Sequence, residues 1–306
     1  MENSYSISSE ADNRYKRLSS EPFAEVTPQV GFFKGIKDSY QAIWNRRSLF
    51  KLLTKRELKA RYKDSFLGYI WTLVRPLVNL LIYYLVIGKV LGAQRAIPDF
   101  AIYVFAGLTI WGLFATIVSG STNSILANSG IVKKVALPRE LFPLTSLSSA
   151  LVDFCSQFLI LIVATLCISK IHLLQAIIYV PISLLVVLVW ALALGLVLGA
   201  LNVYLRDIQY LVEVVLIIGF WCTPTVYSFY MVQQLAGPVL TELYLLNPIT
   251  LAVMGLQRGL WGPADMAVWP VNMFDRLFIM LLVGVVVLFV AHRIFSLLQR
   301  NFAQEM

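Results

Sequence analysis

Along most of this chain the polar residues gather at the ends of long apolar runs. A helix rises about 1.5 Å per residue, so about 20 apolar residues cross a hydrocarbon core of roughly 30 Å. Six runs meet or approach that length: Tyr69 to Val90, Phe100 to Val118, Leu141 to Ile168, Leu173 to Leu201, Ile208 to Phe229 and Leu277 to Ala291. The third and fourth are long enough to tilt. The last is short, and Arg276 and Arg293 at its ends can snorkel to extend it. Ahead of the spans, apolar side chains fall at helical spacing at Phe32, Phe33, Ile36, Tyr40, Ile43 and Trp44. A second amphipathic piece sets Leu49, Leu53, Leu58, Tyr62 and Phe66 among Lys51, Lys55, Arg56, Lys59, Arg61 and Lys63. Leucine and aromatic residues opposite a basic face are the pattern of a helix lying in a membrane interface.

These patterns predict an all-α polytopic membrane protein. Interfacial amphipathic helices cover 31–68, and six transmembrane helices fill 69–301. Residues 1–30 hold few aliphatic side chains and are expected to be a disordered tail. The stretch 230–275, between spans five and six, is apolar but broken. Its pieces, Met231 to Leu246 and Ile249 to Leu260, are interrupted by Gly237-Pro238 and Asn247-Pro248. Neither piece is long enough to span. Short broken helices are tolerated at membrane depth where they pack on protein or line a cavity, so these read as re-entrant helices at the outer mouth.

Composition sharpens the picture. The chain has 306 residues, 58% of them hydrophobic and 14% charged, against about 25% charged in soluble chains. The net charge of +8 follows membrane topology, not nucleic acid. With both termini inside, 19 Lys and Arg face the cytoplasm and five face out, Arg75 being left uncounted within the first span. That asymmetry is the positive-inside pattern. The first 30 residues contain no apolar core of a cleavable signal. Cys155, Cys167 and Cys222 sit in apolar stretches without metal-ligand spacing and are expected to be buried small hydrophobes.

Chemistry-bearing motifs are sparse. Gly88-Lys89 lacks the upstream glycine of a phosphate-binding loop, and no zinc-protease or nucleophile-elbow pattern occurs. His172 and His292 stand isolated near span ends. No catalytic residue, metal or cofactor is expected in this chain. Between spans two and three, within 121–142, the run NSGIVKKVALPRELFP places Ile131, Val132 and Val135 on an apolar side and Lys133 and Lys134 on an exposed one, between Gly130 and Pro138. A short amphipathic helix of this kind gives a soluble partner something to push on; an ordinary topogenic basic loop explains it equally well. Arg75, Asp153 and Glu213 lie within spans, where a charge costs about 2.5–3.5 kcal/mol. Arg75 is therefore expected to pair with Asp153 or Glu213, although snorkelling is open to Arg75 and Glu213. Trp111, Phe154 and Phe158 are deep aromatics, and a hydrated channel walled by rings suits sugars.

Three stretches carry a resemblance. RELKARYKDSFLGYIWTLVRPL from Arg56, KKVALPRELFPL from Lys133, and LNP at Leu246 to Pro248 followed by QRGLW around Arg258 resemble the permease subunits of type-2 ABC exporters for polysaccharides and polyol phosphates, such as O-antigen and teichoic acid. The resemblance runs from about Leu49 to the C-terminus. It implies a homodimer of six-span subunits in the cytoplasmic (inner) membrane of a bacterium, served by two copies of a separate ATP-binding subunit that holds ATP and Mg. It implies a coupling helix at Ile131, Val132, Lys133, Lys134, Val135, Ala136 and Leu137. It also implies an outer gate from the broken helices, with Pro224, Tyr227, Tyr230, Asn247, Pro248 and Arg258. The implied substrate is a polyprenyl-diphosphate-linked glycan whose anionic head meets Arg56, Lys59, Arg61, Lys63 or Arg75 during loading. Competing readings are a type-2 permease for a drug or small lipid, an ion-coupled secondary transporter and a non-transporting scaffold. The second of these needs paired acids at the midplane and internal repeats.

Overall fold

A computed structural model describes residues 41, 43–61, 70–92, 95, 97–133, 137–168, 172–263 and 268–305, leaving aside the side chains of Ala60, Arg61, Arg75, Ala303 and Gln304. The expected tail, the first amphipathic piece through Tyr40, and Tyr62, Lys63, Phe66, Lys134, Val135 and Ala136 lie outside the described residues. The chain divides into two units, Met1–Trp44 and Asn45–Met306, and the helices named next belong to the second.

Those helices are α1 Arg47–Arg61, α2 Trp71–Ile82 continued by a π-helical stretch Tyr83–Val90, α3 Phe100–Ala127, α4 Ser129–Val132, α5 Leu141–Ile168, α6 Leu173–Tyr204, α7 Ile208–Trp221, α8 Phe229–Leu245, α9 Pro248–Leu260 and α10 Met273–Leu298. A 3-10 turn, Gln299–Asn301, leads into α11, Phe302–Glu305. No strand occurs among the described residues. Five helices are long and apolar enough to cross a membrane: α2 with its π-helical continuation, α3, α5, α6 and α10.

The packing is centred on α3, which is buried over most of its length and packs against α5, α6, α7 and α9. Lipid is as apolar as leucine, so burial alone does not drive helices together in a bilayer, and close approach through small residues matters more. Gly195 and Gly199 of α6, one turn apart, both face Ser121 of α3. A Cβ on Gly199 would stand 2.8 Å from the Ser121 carbonyl oxygen. α9 approaches α6 in the same way: a Cβ on Gly255 would fall 2.0 Å from the Ser183 hydroxyl. α9 is thereby sunk between α3 and α6, with every residue except Pro248 and Arg258 buried. In contrast, α2, α5, α7 and α10 each turn a broad apolar face outward.

One end of the bundle collects α1, the C-terminal end of α3, the start of α5 and the ends of α6 and α10. Leu53, Ile125, Phe142, Val203, Phe295 and Phe302 form a second apolar cluster there. Tyr204 donates to the Leu298 carbonyl at 2.7 Å, tying the ends of α6 and α10. At the far end lie the starts of α3, α6 and α10. The chain between Tyr204 and Met273 must therefore cross from one end to the other, and α7 begins that crossing.

Three expectations are corrected here. The fifth span was expected as a helix from Ile208 to Phe229, but α7 stops at Trp221. Its 14 residues reach about 21 Å at 1.5 Å per residue. Pro224 supplies no amide hydrogen, and Thr223 turns its hydroxyl back to the Phe220 carbonyl at 2.9 Å, closing the helix. The last span, expected to be short, runs as α10 from Met273 to Leu298. Arg276 is part of its first turns, not a flank. The cysteines Cys155, Cys167 and Cys222 are exposed on the protein surface, because in an apolar solvent a small hydrophobe has no reason to be inside.

Candidate functional site

Two places concentrate polar chemistry, one at each end of the bundle. At the α1 end, a crevice of about 330 Å³ opens between α1, α3, α5 and the first turn of α7. α1 reaches it because Leu53 is buried against the bundle, which brings Arg56, three residues on, to the crevice wall. The Arg56 guanidinium donates to Asn128 Oδ1, and the Asn128 amide donates to the Ser124 carbonyl at 2.7 Å. Across the crevice stand Thr145 and Ser146 of α5. Gln209 of α7 closes it. Its amide nitrogen donates to Ser119 Oγ at 3.1 Å and to Glu213 Oε1 at 3.0 Å. Asn202, 1% exposed, receives the Gln209 backbone N–H and donates to the Thr122 carbonyl, so α6, α7 and α3 are stitched together behind the crevice.

Beside the crevice, α4 is one helical turn that ends at Val132, just ahead of residues 134–136, which lie outside the described residues. Val132 is buried, Ile131 partly buried and Lys133 exposed, as the amphipathic pattern requires. Leu137 lies half-buried on the way to α5. Glu140, 4% exposed, accepts from Gln299 at 3.1 Å and lies 4.0 Å from His292. His292 is therefore not isolated, nor is His172, whose Nε2 lies 3.0 Å from the Gly262 carbonyl. Arg139 stacks over the Phe302 ring. Burial lowers its pKa from the ordinary arginine value, and the Glu140 carboxylate opposes that shift.

The far end is built around the break after α7. Residues 222–228 are non-helical at a depth where backbone groups need protein partners. The partners are present. The Tyr103 hydroxyl donates to the Tyr227 carbonyl at 3.0 Å and lies 3.3 Å from that of Pro224. Gln257, fully buried on α9, donates to the Pro224 carbonyl at 2.9 Å. Tyr227 donates to the Trp221 carbonyl at 2.8 Å, and Thr250 to that of Cys222 at 3.4 Å. α8 and α9 then fold back with a bend of 100°. α8 is itself kinked at Gly237, whose φ of 65° suits glycine. Asn247 caps α9 by accepting from the Ile249 N–H at 3.0 Å, with Pro248 in the first turn. Glu242 of α8 receives a two-pronged bond from Arg276 of α10 at 2.8 and 2.9 Å. Arg258 lies over the Tyr179 ring, 4.7 Å from its centre, with Trp269 beyond and Met273 Sδ at 3.7 Å.

The predicted site residues thus separate. Arg56 lines the crevice and Lys59 is exposed on α1, while the Arg61 and Arg75 side chains and all of Lys63 are outside the description. α2 packs on α5, which carries Asp153, and Glu213 engages Gln209. Pro224 and Tyr227 come together around Tyr103, Asn247 and Pro248 start α9, and Tyr230 pairs with Gln234 within α8. Reasoning from the sequence missed Tyr103, Gln257, Asn202 and Gln209. A lone amide inside an apolar run, as in LAVMGLQRGL or LGALNVY, was the available signal.

The model of a membrane-protein family described as ABC-2 type transporter matches residues 48–261, from α1 through the bent α8–α9 pair to Trp261. The chain belongs to the ABC-2 type transporter family. Among its relatives is the O-antigen export system permease protein RfbA of Myxococcus xanthus, 31% identical over 192 residues, which are 63% of this chain and 73% of that protein. The protein of the same name from Klebsiella pneumoniae is 26% identical over 264 residues, 85% of this chain and 97% of its own length. The polysialic acid transport protein KpsM of Escherichia coli is 33% identical over 78 residues, 25% of this chain and 30% of that one. The match therefore covers the crevice and the break after α7, while Arg276, His292 and Gln299 lie beyond it.

Proposed function

We propose that this ABC-2 transporter is the membrane subunit of an ATP-driven exporter that moves a lipid-linked polysaccharide out of the cytoplasm. The observation that carries the reading is the match along nearly the whole length of an O-antigen export permease. The polar crevice behind a basic helix supports it. A polymer of sugars is long and hydrated, and its lipid carrier is anionic at the head.

In this reading the α1 end faces the cytoplasm, both termini lie inside, and the protein sits in the inner membrane as a homodimer. Two copies of an ATP-binding subunit dock beneath Ile131 to Leu137, and ATP and Mg belong to them. Their closure pushes α4 against α3. The carrier's diphosphate meets Arg56, Lys59, Arg61, Lys63 and Arg75, since anions are drawn to a basic interface. Arg75 would pair with Asp153 when no head group is present. The gate opposite is the α8–α9 pair with Pro224, Tyr227, Tyr230, Asn247, Pro248 and Arg258.

The test is deletion of the gene followed by extraction of the cell's lipids. The expected result is an intracellular lipid-linked glycan that disappears on complementation. An unchanged lipid pool together with altered drug or phospholipid export would overturn the reading. Neutralising Arg56, Lys59 and Arg61 together is expected to depress export while the ATP-binding subunit still co-purifies; undiminished export would remove the loading role.

A further inference from the structure

The crevice between α1, α3, α5 and α7 has a wall chemistry that selects among the parts of such a substrate. Among the described residues its charged groups are Arg56 and Glu57, adjacent on α1 and opposite in sign. The rest of the polar lining is hydroxyl and amide, from Ser119, Asn123, Thr145, Ser146 and Gln209 among others. The apolar part of the wall includes Gly120, Ala127 and Phe142. The volume of about 330 Å³ is at the small end of ligand sites, which run from roughly 300 to 1,000 Å³.

Gln209 supplies the deciding detail. Its amide orientation is set by Glu213, because a carboxylate oxygen accepts and so must face the NH₂ group. That leaves Gln209 Oε1 buried, with no hydrogen-bond donor among the described residues. A buried acceptor without a donor is costly, so a ligand that brings an O–H or N–H gains there. A fully ionised diphosphate has only acceptors and gains nothing from Oε1. A sugar ring has hydroxyl donors for Gln209, acceptors for Asn123 and Ser146, and a C–H face for Ala127, Phe142 being buried in the apolar cluster behind.

We propose that this crevice is a saccharide subsite that holds the sugar next to the lipid diphosphate, with Arg56 at its wall marking where the anionic head begins. The inference rests on the export reading above. It adds that the permease itself recognises a neutral glycosyl unit, not the carrier alone. The crevice has room for a short saccharide and none for a coiled polymer, so recognition is of one end of the glycan.

The experiment uses the permease with its ATP-binding subunit in nanodiscs and two probes. One is the lipid-linked glycan extracted from cells lacking the gene; the other is the polyprenyl diphosphate carrier without sugar. Gln209→Met removes the acceptor at similar volume, and Asn123→Ala shortens an exposed wall residue with little risk to folding. Each is expected to weaken binding of the glycosylated lipid by about tenfold, the loss of roughly one or two hydrogen bonds, and to leave binding of the bare carrier unchanged. Arg56→Gln is expected to weaken both. Equal loss for both probes in Gln209→Met and Asn123→Ala, or no loss for either, overturns the subsite while the export reading stands. A wild-type complex that binds neither probe overturns both together.

Discussion

The hydrogen bonds that hold residues 222–228 make a quantitative prediction. Two donors converge on the Pro224 carbonyl, the Gln257 amide at 2.9 Å and the Tyr103 hydroxyl at 3.3 Å. Tyr103→Phe keeps the ring against Trp261 and removes the hydroxyl from the Tyr227 carbonyl, while Pro224 still has Gln257. Gln257→Leu removes the amide; the Tyr103 hydroxyl has one hydrogen, so turning it to Pro224 would leave the Tyr227 carbonyl unpaired instead. Each single change therefore leaves one of the two carbonyls without a donor, and the double variant leaves both. A buried carbonyl left unpaired costs about 1–3 kcal/mol, and polar contacts in membrane proteins measure about 0.6 to 1.7 kcal/mol. Each single variant is expected to lose about 1 kcal/mol. The double variant is expected to lose about the sum of the two, within about 0.5 kcal/mol. The assay is reversible unfolding of the purified permease in mixed micelles with rising sodium dodecyl sulfate, followed by tryptophan fluorescence. A loss in the double variant that departs from the sum by more than about 0.5 kcal/mol would refute this count of donors and acceptors.

Gly199→Leu places side-chain atoms where the Ser121 carbonyl already stands, so α3 and α6 must part; overpacking predicts a loss of about 1–3 kcal/mol, read by thermal unfolding in detergent, and an unchanged transition would contradict the close approach. Phe302 is fully buried between Tyr204 and Phe295, so Phe302→Ala is expected to cost about 3 kcal/mol locally and to open the segment after Leu298 to protease, whereas a tail that stays resistant is not held by that ring. The Glu242–Arg276 pair is exposed and should matter little to global stability, but Glu242→Arg should increase cross-linking-detected motion of α8 against α10, and adding Arg276→Glu should restore it; failure of the swap to restore would show that the pair does not hold α8. Reporter tags on the two termini should both be cytoplasmic, and an external tag at either end would reverse the assignment of ends.

Which features were legible in the sequence depended on whether their cause was local. The spans at α3, α5 and α6 could be read because apolar length is itself the requirement for crossing lipid. The breaks in the α8–α9 pair could be read because Gly237 and the Asn247-Pro248 pair act on their own backbone. The end of α7 could not. WCTPTVYSF continues the aromatic and apolar run, and what stabilises its non-helical backbone comes from Tyr103 and Gln257, 121 and 33 positions from Pro224. The ends of α10 were misplaced for a related reason. Arg276 and Arg293 read as flanking charges, but both lie within α10, and Arg276 is engaged there by Glu242 on another element. The crevice was invisible for the same cause: its members are ordinary serines and amides until the fold brings four helices together. Arg56 was chosen for its charge, and the structure adds the polar wall beside it.

The two polar places share their supports, which bears on how an event at one end reaches the other. α3 lies under both, with Tyr103 at one end and Ser119 to Asn128 at the other, and it is rigidly packed along its length. α7 also touches both, through Gln209 at the crevice and through Trp111 beside Gly219 near the break. Yet Val212 is its one fully buried residue, and apart from Gln209 and Glu213 most of its remaining surface is apolar and exposed. A helix tied by polar bonds at its ends and greased along its side is the element of this bundle with least packing to lose by moving. Coupling between distant sites needs an element with two arrangements that both sites bias. α7 meets the structural condition for that element. α3 does not, because displacing it would break contacts with α5, α6 and α9 together. A push on α4 beside the crevice would therefore be transmitted by tilting α7 against a fixed α3, with the hydrogen bonds at Pro224 and Tyr227 as the point where the tilt reaches the re-entrant pair.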